Sequence, residues 1–309
     1  MSFALTILGA VGQGLLWGIM ALGVYITFRI LNFADMTCDG SFALGGCVSV
    51  IMISAFHMNP FLSVIIAIGA GMLSGFITGF LHTKLKIPAI LSGILTMIAL
   101  YSINIRILGK KANVSLLKKE TIVTKIKSWL PQSLTEGMID STLNSIVVLG
   151  FGLIMVIILI IILYWFFGTE AGSALRATGN NEDMIRALGQ NTDRMKILGL
   201  VLGNGLVALS GAFVAQSQGY ADVGMGQGAI VIGLASIVIG EVMSVLLGKK
   251  RTFYKKLSAI IIGSIIYRVI IAWVLKMGLD TSDLKLLTAV IVACALSIPG
   301  LRAQRRKAR

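Results

Sequence analysis

Two carboxylates four residues apart, Asp35 and Asp39 in ILNFADMTCDGSFALGG, stand out because apolar runs press on them from both sides. An ionisable side chain in that setting is by default functional: it can hold a proton or cation, or gate a polar path. The same carboxylates can instead cap a helix starting near Gly40, where unpaired N–H groups and the macrodipole favour negative charge. Both roles stay open for each residue. Asn32 beside them, and Asn204 and Gln216 far along the chain, are amides that either line a polar path or hydrogen-bond between helices. Glu241, near the end of another apolar run, joins the path candidates; its preferred partner is a basic residue of the segment 168–196, with snorkelling to the membrane surface as the alternative.

That segment, GTEAGSALRATGNNEDMIRALGQNTDRMK, is the second concentration of chemistry. Each of its charges would cost roughly 2.5–3.5 kcal/mol at mid-bilayer, so it must lie outside lipid. The spacing predicts a short helix from about Asn180 to Leu188, with Asn180 or Asn181 as its cap, Glu182 and Asp183 in the first turn and Gly189 as its stop. Met184, Ile185, Ala187 and Leu188 then form a small apolar face, suited to docking on another protein or to packing on its own domain. Other chemistry is missing from the sequence. It has no G-x-x-x-x-G-K-[ST] and so no ATP site of its own. His57 and His82 are isolated from each other, and Cys38, Cys47 and Cys294 lack metal or redox spacing. No Ser/His/Asp or Cys/His arrangement points to hydrolysis.

The elements that must position these residues are membrane spans. Hydrophobic residues make up 56% of the chain and charged ones 13%, with a mean hydropathy of +0.91, far outside the soluble globular range. The net charge of +14 sits in short clusters between apolar runs, as topology-setting charge beside lipid headgroups does, and nucleic acid is not the expected partner. The N-terminus lacks a basic n-region and reads as a first span rather than a cleaved signal. Nine runs are long enough or nearly so: 4–28, 40–56, 61–81, 87–108, 143–167, 197–215, 229–247, 257–275 and 284–298. The span at 40–56 is the doubtful one, because residues 30–57 could instead form a re-entrant break.

The basic links set orientation. With 168–196 inside the cell, Arg29, HTKLK, GKKRTFYKK and the tail RAQRRKAR are inside too. The N-terminus and the segment 109–143 fall outside, although that segment carries six lysines and room for an amphipathic interfacial helix. Those lysines, Lys118 and Lys119 among them, are candidate contacts for an acidic external protein, and Asp222 at the outer surface either meets an external protein or caps locally.

The expected fold is therefore an all-α polytopic membrane protein of about nine spans, forming one transmembrane domain. Gly18–Asp35 aligns without gaps on Gly205–Asp222, matching Phe33-Ala34-Asp35 to Tyr220-Ala221-Asp222. That echo divides the chain into two inverted repeats, about 4–108 and 197–299, joined by the external segment 109–143, a linking helix 143–167 and the loop 168–196, with a basic tail at 300–309.

The stretches LNFADMTCDGSFALGG, EAGSALRATGNNEDMIRALGQNTDRMKILGLVLGNGLVALSGAFVAQSQGYADVGMGQG and ASIVIGE resemble the branched-chain amino acid and ribose type of ABC importer permeases, over roughly residues 10–247. Within that family the chain is most similar to members for aromatic amino acid uptake. The resemblance implies a membrane subunit that pairs with a second copy or a close relative. It would be driven by a cytoplasmic ATPase dimer, where ATP and Mg would bind, and fed by an external solute-binding lipoprotein in a bacterial-type inner membrane. The loop 168–196 would then couple to the ATPase, with Glu170 and Asn180 in the coupling segment. Gly172, Gly179 and Gly189 would allow tight turns, Arg176 and Arg186 would bond across the interface, and Ile185 and Leu188 would be apolar anchors. The competing functions are an ion-coupled secondary transporter using Asp35, Asp39 or Glu241, an ABC permease for a sugar or nucleoside, and a membrane scaffold or intramembrane enzyme.

Overall fold

A computed structural model describes residues 3–129, 140–246, 252–278, 286, 288–290 and 293. Its helices are α1 (Phe3–Tyr25, continued by a π-helical turn Ile26–Ile30), α2 (Thr37–Ser54), α3 (Pro60–Thr83), α4 (Ala89–Ile107), α5 (Ile122–Trp129), α6 (Asp140–Gly168), α7 (Glu170–Asn180), α8 (Glu182–Ala187), α9 (Thr192–Gln218), α10 (Ala229–Leu246) and α11 (Phe253–Lys276). Seven are long and apolar enough to cross a membrane, and α10 adds a shorter apolar helix over Ala229–Ser244. These eight coincide with the first eight expected runs; the ninth, 284–298, and the tail 300–309 lie almost wholly outside the described residues. Residues 37–54 form one continuous helix of span length, and the break in the doubtful stretch 30–57 falls before it, at 31–36.

Local chemistry sets the ends. Asn59 accepts the N–H of Phe61 and Pro60 occupies the first turn of α3, where its missing donor costs nothing. Asn191 caps α9 by accepting the Arg194 N–H at 3.1 Å. Gly219, with φ +78°, ends α9 in a left-handed turn and returns its N–H to the Ala215 carbonyl. The expectation of an all-α chain needs one amendment. Strands β1 (Asn113–Ser115) and β2 (Tyr220–Asp222) pair antiparallel, with Val114 opposite Ala221. No alternation marks three-residue strands, so only the meeting of two distant loops creates them.

The centre of the bundle is α2 and α9, whose most apolar windows are 78% and 72% buried, against 28% for α4 and 33% for α6. The outer helices accordingly present apolar side chains such as Ile98, Ile154, Ile161 and Trp165 to lipid. Backbones in the centre approach one another directly. A Cβ at Gly45 would strike the Ala208 carbonyl, and one at Gly211 the Phe42 carbonyl. Ser41 meets Asn204 and Ser49 meets Gln216, so α2 and α9 are parallel, while α3 is antiparallel to both, with Gly75 on Leu200 and Gly71 on Asn204. Helix α1 crosses α9 antiparallel, with Ser210 Oγ donating to the Leu16 carbonyl at 2.8 Å and Gly23 set against the Gly203 carbonyl.

Overpacking of that seam has a measurable consequence. Gly45→Leu should destabilise the protein by about 2–3 kcal/mol in thermal unfolding in detergent. Gly69→Leu, at a position of α3 with open space around the missing Cβ, should change stability by less than about 0.5 kcal/mol.

Candidate functional site

The chain leaves α1 through the π turn, reverses at Asn32 in a left-handed conformation (φ 54°), and enters α2 at Thr37. Asn32 is exposed, and its neighbours Ile30 and Leu31 pack against Gly179 of α7, so it lies beside the 168–196 segment and not with the path candidates. Asp35 is fully buried. Its Oδ1 accepts the Thr37 N–H at 2.9 Å and its Oδ2 accepts the Asn204 amide at 2.7 Å. Asn204 Oδ1 in turn accepts from Ser41, whose hydroxyl also meets Ser74 at 2.7 Å, and Thr37 meets Thr78 at 2.7 Å. Asn204 lies about 18 Å along α9 from Thr192 at 1.5 Å per residue, so this network sits at bilayer depth. An isolated carboxylate there would be prohibitive. Its partners here are neutral donors at the N-terminus of α2, joined to α3 and α9.

Asp39 is a cap, but of a different helix from the one expected. Because α2 starts at Thr37, Asp39 already lies inside its first turn. Its carboxylate reaches sideways to the Gly228 N–H at 3.0 Å and the Ile230 N–H at 2.8 Å, the start of α10. Two helix N-termini thus converge inside the bundle, each met by a carboxylate. Gln216 forms a second polar node towards the other end of α9. Its Nε2 donates to Ser49, Ser63 and the Pro60 carbonyl, and its Oε1 accepts the Ile122 N–H at 2.9 Å. Asn204 and Gln216, two of the three amides named as path candidates, are thus engaged between helices. Glu241 pairs with Arg29 at the end of the π turn and not with the 168–196 segment. Both side chains are about half exposed, so that pair contributes little stability.

The strand pairing gathers the outer candidates. Asp222 sits on β2 and accepts the Gly224 N–H at 2.6 Å, a local turn contact. With Tyr101, Lys110, Lys111 and Gln227 it lines an open cavity of about 470 Å³. Lys118, in a left-handed conformation, and Lys119, whose Nζ is 3.4 Å from His57 Nδ1, follow β1 directly on the same face. The amphipathic helix expected within 109–143 is α5; its Trp129 stacks on Phe61 at 6.0 Å.

The 168–196 segment holds two helices where one was expected. Thr169 caps α7 by accepting the Gly172 N–H, and Asn181 caps α8 by accepting the Met184 N–H at 3.0 Å. Glu170 starts α7 and Asn180 ends it, both exposed. Gly172 and Gly179 are not turn residues but lie within α7, where a Cβ would strike the carbonyls of Phe166 and Ile30. Only Gly189, with φ +82°, makes a turn. Arg176 donates to the Phe167 carbonyl at 2.7 Å and lies over the Phe253 ring, clasping α7 to the ends of α6 and α11. Arg186 bonds Glu182 at 2.8 Å and Thr192 at 3.1 Å. Both arginines are thus already bonded within the chain. Ile185 is buried, whereas Met184 and Leu188 are 51% and 70% exposed, so the outward apolar pair is Met184 and Leu188. Helical periodicity offers either pairing; packing under α7 selects one.

Glu182 ties this segment together. Burial alone would raise its pKa, but the Lys196 ammonium at 2.7 Å, Thr192 and Arg186 outweigh burial and hold it below the ordinary glutamate value. The sign follows: its stabilising contribution is complete above the unfolded pKa and disappears as pH falls through the lowered folded one. Hydrogen-exchange protection of α8 should therefore drop between about pH 5 and about pH 3, and Glu182→Gln should flatten that dependence.

The family model described as branched-chain amino acid transport system / permease component matches residues 6–296. The tyrosine transport system permease protein of Clostridioides difficile (strain R20291) is 40% identical over 302 residues, covering 97% of this chain and 94% of that one. An uncharacterized protein of Rickettsia prowazekii (strain Madrid E) is 32% identical over 292 residues, covering 93% and 95%. Among solved structures, a chain of PsaBC from Streptococcus pneumoniae in complex with Fab superposes with a TM-score of 0.52 at 15% identity, covering 98% of this chain and 94% of that chain, which speaks for the fold alone. A multi-pass helical chain matched by that model over nearly its whole length is a transport permease and not an enzyme: it belongs to the branched-chain amino acid transport permease family.

Proposed function

We propose that this permease is the membrane half of an ATP-driven importer that takes in an amino acid, with aromatic side chains its preferred class. The observation that carries this reading is the 40% identity, end to end, with a protein named for tyrosine transport. A cytoplasmic ATPase dimer, carrying ATP and Mg, would drive it through the α7–α8 knuckle. An external binding protein would deliver solute to the face bearing Asp222, Lys118 and Lys119, and a second copy or close relative would complete the membrane unit. The N-terminus then lies outside and the α7–α8 segment inside, with α5 and the β-ribbon outside.

Two contacts favour the inverted repeat. The alignment that places Gly18 on Gly205 also exchanges Leu16 with Gly203 and Gly23 with Ser210. Under it, the Ser210–Leu16 contact and the Gly203–Gly23 contact become images of each other. The alignment also pairs Asp35, bonded to the N–H two residues on, with Asp222, bonded likewise. An ion-coupled mechanism is the weaker reading, because the oxygens of Asp35 and Asp39 already accept bonds from neutral groups of the chain.

The knuckle fits coupling because it is stiff inside and carries two exposed apolar side chains at its tip. Gly179 on the Ile30 carbonyl, Arg176 on Phe167 and Glu182 on Lys196 fix it to α1, α6 and α9, so a push on Met184 and Leu188 reaches all three. Met184→Asp with Leu188→Asp should reduce ATPase co-purification at least tenfold while leaving membrane insertion intact; undiminished co-purification would overturn the coupling assignment. A cysteine placed at Glu182 should react with a membrane-impermeant maleimide in inside-out vesicles and not in whole cells. Labelling confined to whole cells would reverse the topology.

A further inference from the structure

Arg268 lies within the membrane-length helix α11, and neither the knuckle nor the outer face accounts for it. Helices α1 and α11 pack antiparallel, Gly14 against Ile265 and Gly18 against Ile261, which places Trp17 between those two levels. The guanidinium carbon of Arg268 is 4.1 Å from the centroid of the Trp17 ring. Its charged head is therefore on the Phe253 side of its own Cα, in the direction helical side chains lean. The nearer end of α11 is the opposite one, at Lys276, so the charge is carried towards mid-membrane and does not snorkel to the surface.

At that depth a guanidinium requires an acceptor, and among the described residues none is supplied. Its Nε is buried without a hydrogen-bond partner, and no carboxylate among the described residues lies within ion-pair distance of it. Two further buried polar atoms on the same face of α1, one turn apart, also lack partners: the Trp17 Nε1 donor and the Gln13 Oε1 acceptor. Gln13 is held in place by its Nε2, which donates to Ser217 at 2.9 Å. The Trp17 ring packs on Phe42 of α2 at 4.7 Å, so the group adjoins the centre of the bundle and not lipid. An unpaired cation with an indole donor, an amide acceptor and an aromatic wall is complementary to an amino acid, whose carboxylate, ammonium and side chain need those groups in turn. A purely structural stacked arginine would explain the ring contact but not its own unpartnered Nε and the two unpartnered atoms of Trp17 and Gln13.

We propose that Arg268, stacked on Trp17, with Gln13 one helical turn from Trp17 on α1, forms an intramembrane carboxylate-binding site on the route of the transported amino acid. This rests on the amino acid import reading. Uptake of a panel of amino acids and of ribose is measured in proteoliposomes holding the complete importer. Arg268→Gln should lower amino acid uptake at least tenfold with thermal stability and ATPase co-purification retained. Arg268→Lys, which keeps the charge without the planar fork, should raise KM several-fold with kcat little changed. In a permease whose Trp129, Trp165 and Trp273 are replaced by phenylalanine, L-tyrosine should shift Trp17 emission and tyramine, which lacks the carboxylate, should not. Should Arg268→Gln fail to fold, the lysine variant and the emission titration decide. An unchanged KM in Arg268→Lys, or an equal response to tyramine, overturns the site. Wild-type complex that carries ribose and no amino acid overturns the import reading and the site with it, whereas amino acid uptake undiminished in a folded Arg268→Gln overturns the site alone.

Discussion

Backbone breaks inside a membrane bundle are the constraint on which the rest of this structure depends. Lipid offers no water to satisfy a helix N-terminus, so a chain that starts two helices at bilayer depth must supply acceptors from within. Here they are carboxylates. Asp35 serves the start of α2 and draws in Asn204, and Asp39 serves the start of α10. Each charge would be unfavourable without the helix end it faces, and each helix end would be unsatisfied without the charge. The arrangement is stable only as a unit, which ties the two halves of the chain to each other at their centre.

Around that centre the helices approach as closely as backbone allows. Glycines at the α2–α9 and α3–α9 contacts let carbonyls replace side chains as the packing surface, and small hydroxyls complete the polar nodes at Asn204 and Gln216. Because lipid tails are as apolar as leucine, hydrophobicity does not hold such helices together; close van der Waals contact and buried hydrogen bonds do. The same closeness makes the central helices a rigid block. Movement of one is transmitted to its neighbours, since no layer of flexible side chains separates them.

The knuckle formed by α7 and α8 is joined to that block by three different kinds of contact: backbone packing at Gly179, hydrogen bonding and ring stacking at Arg176, and ion pairing at Glu182. Charges that look on paper like contacts for a partner are mostly engaged inside the chain. Among the side chains that face outward are two large apolar ones, Met184 and Leu188. Stiffness beneath an apolar tip is the property a force-transmitting element requires.

The sequence by itself determined the membrane class, the places of the first eight apolar helices, the polar break at 31–36 and the exclusion of 168–196 from lipid. Those follow from hydropathy and charge, which are local sums over neighbouring residues. It also marked Asp35, Asp39, Asn204 and Gln216 as polar residues requiring an explanation, without saying which helix each would serve. Only the tertiary structure decided that Asp39 caps α10, that Glu241 meets Arg29, that Ile185 turns inward while Met184 faces out, and that residues 113–115 pair with 220–222. Each of these depends on which distant segment arrives beside a residue, and one-dimensional periodicity, which fixes the face of a helix but not its neighbour, carries no record of that.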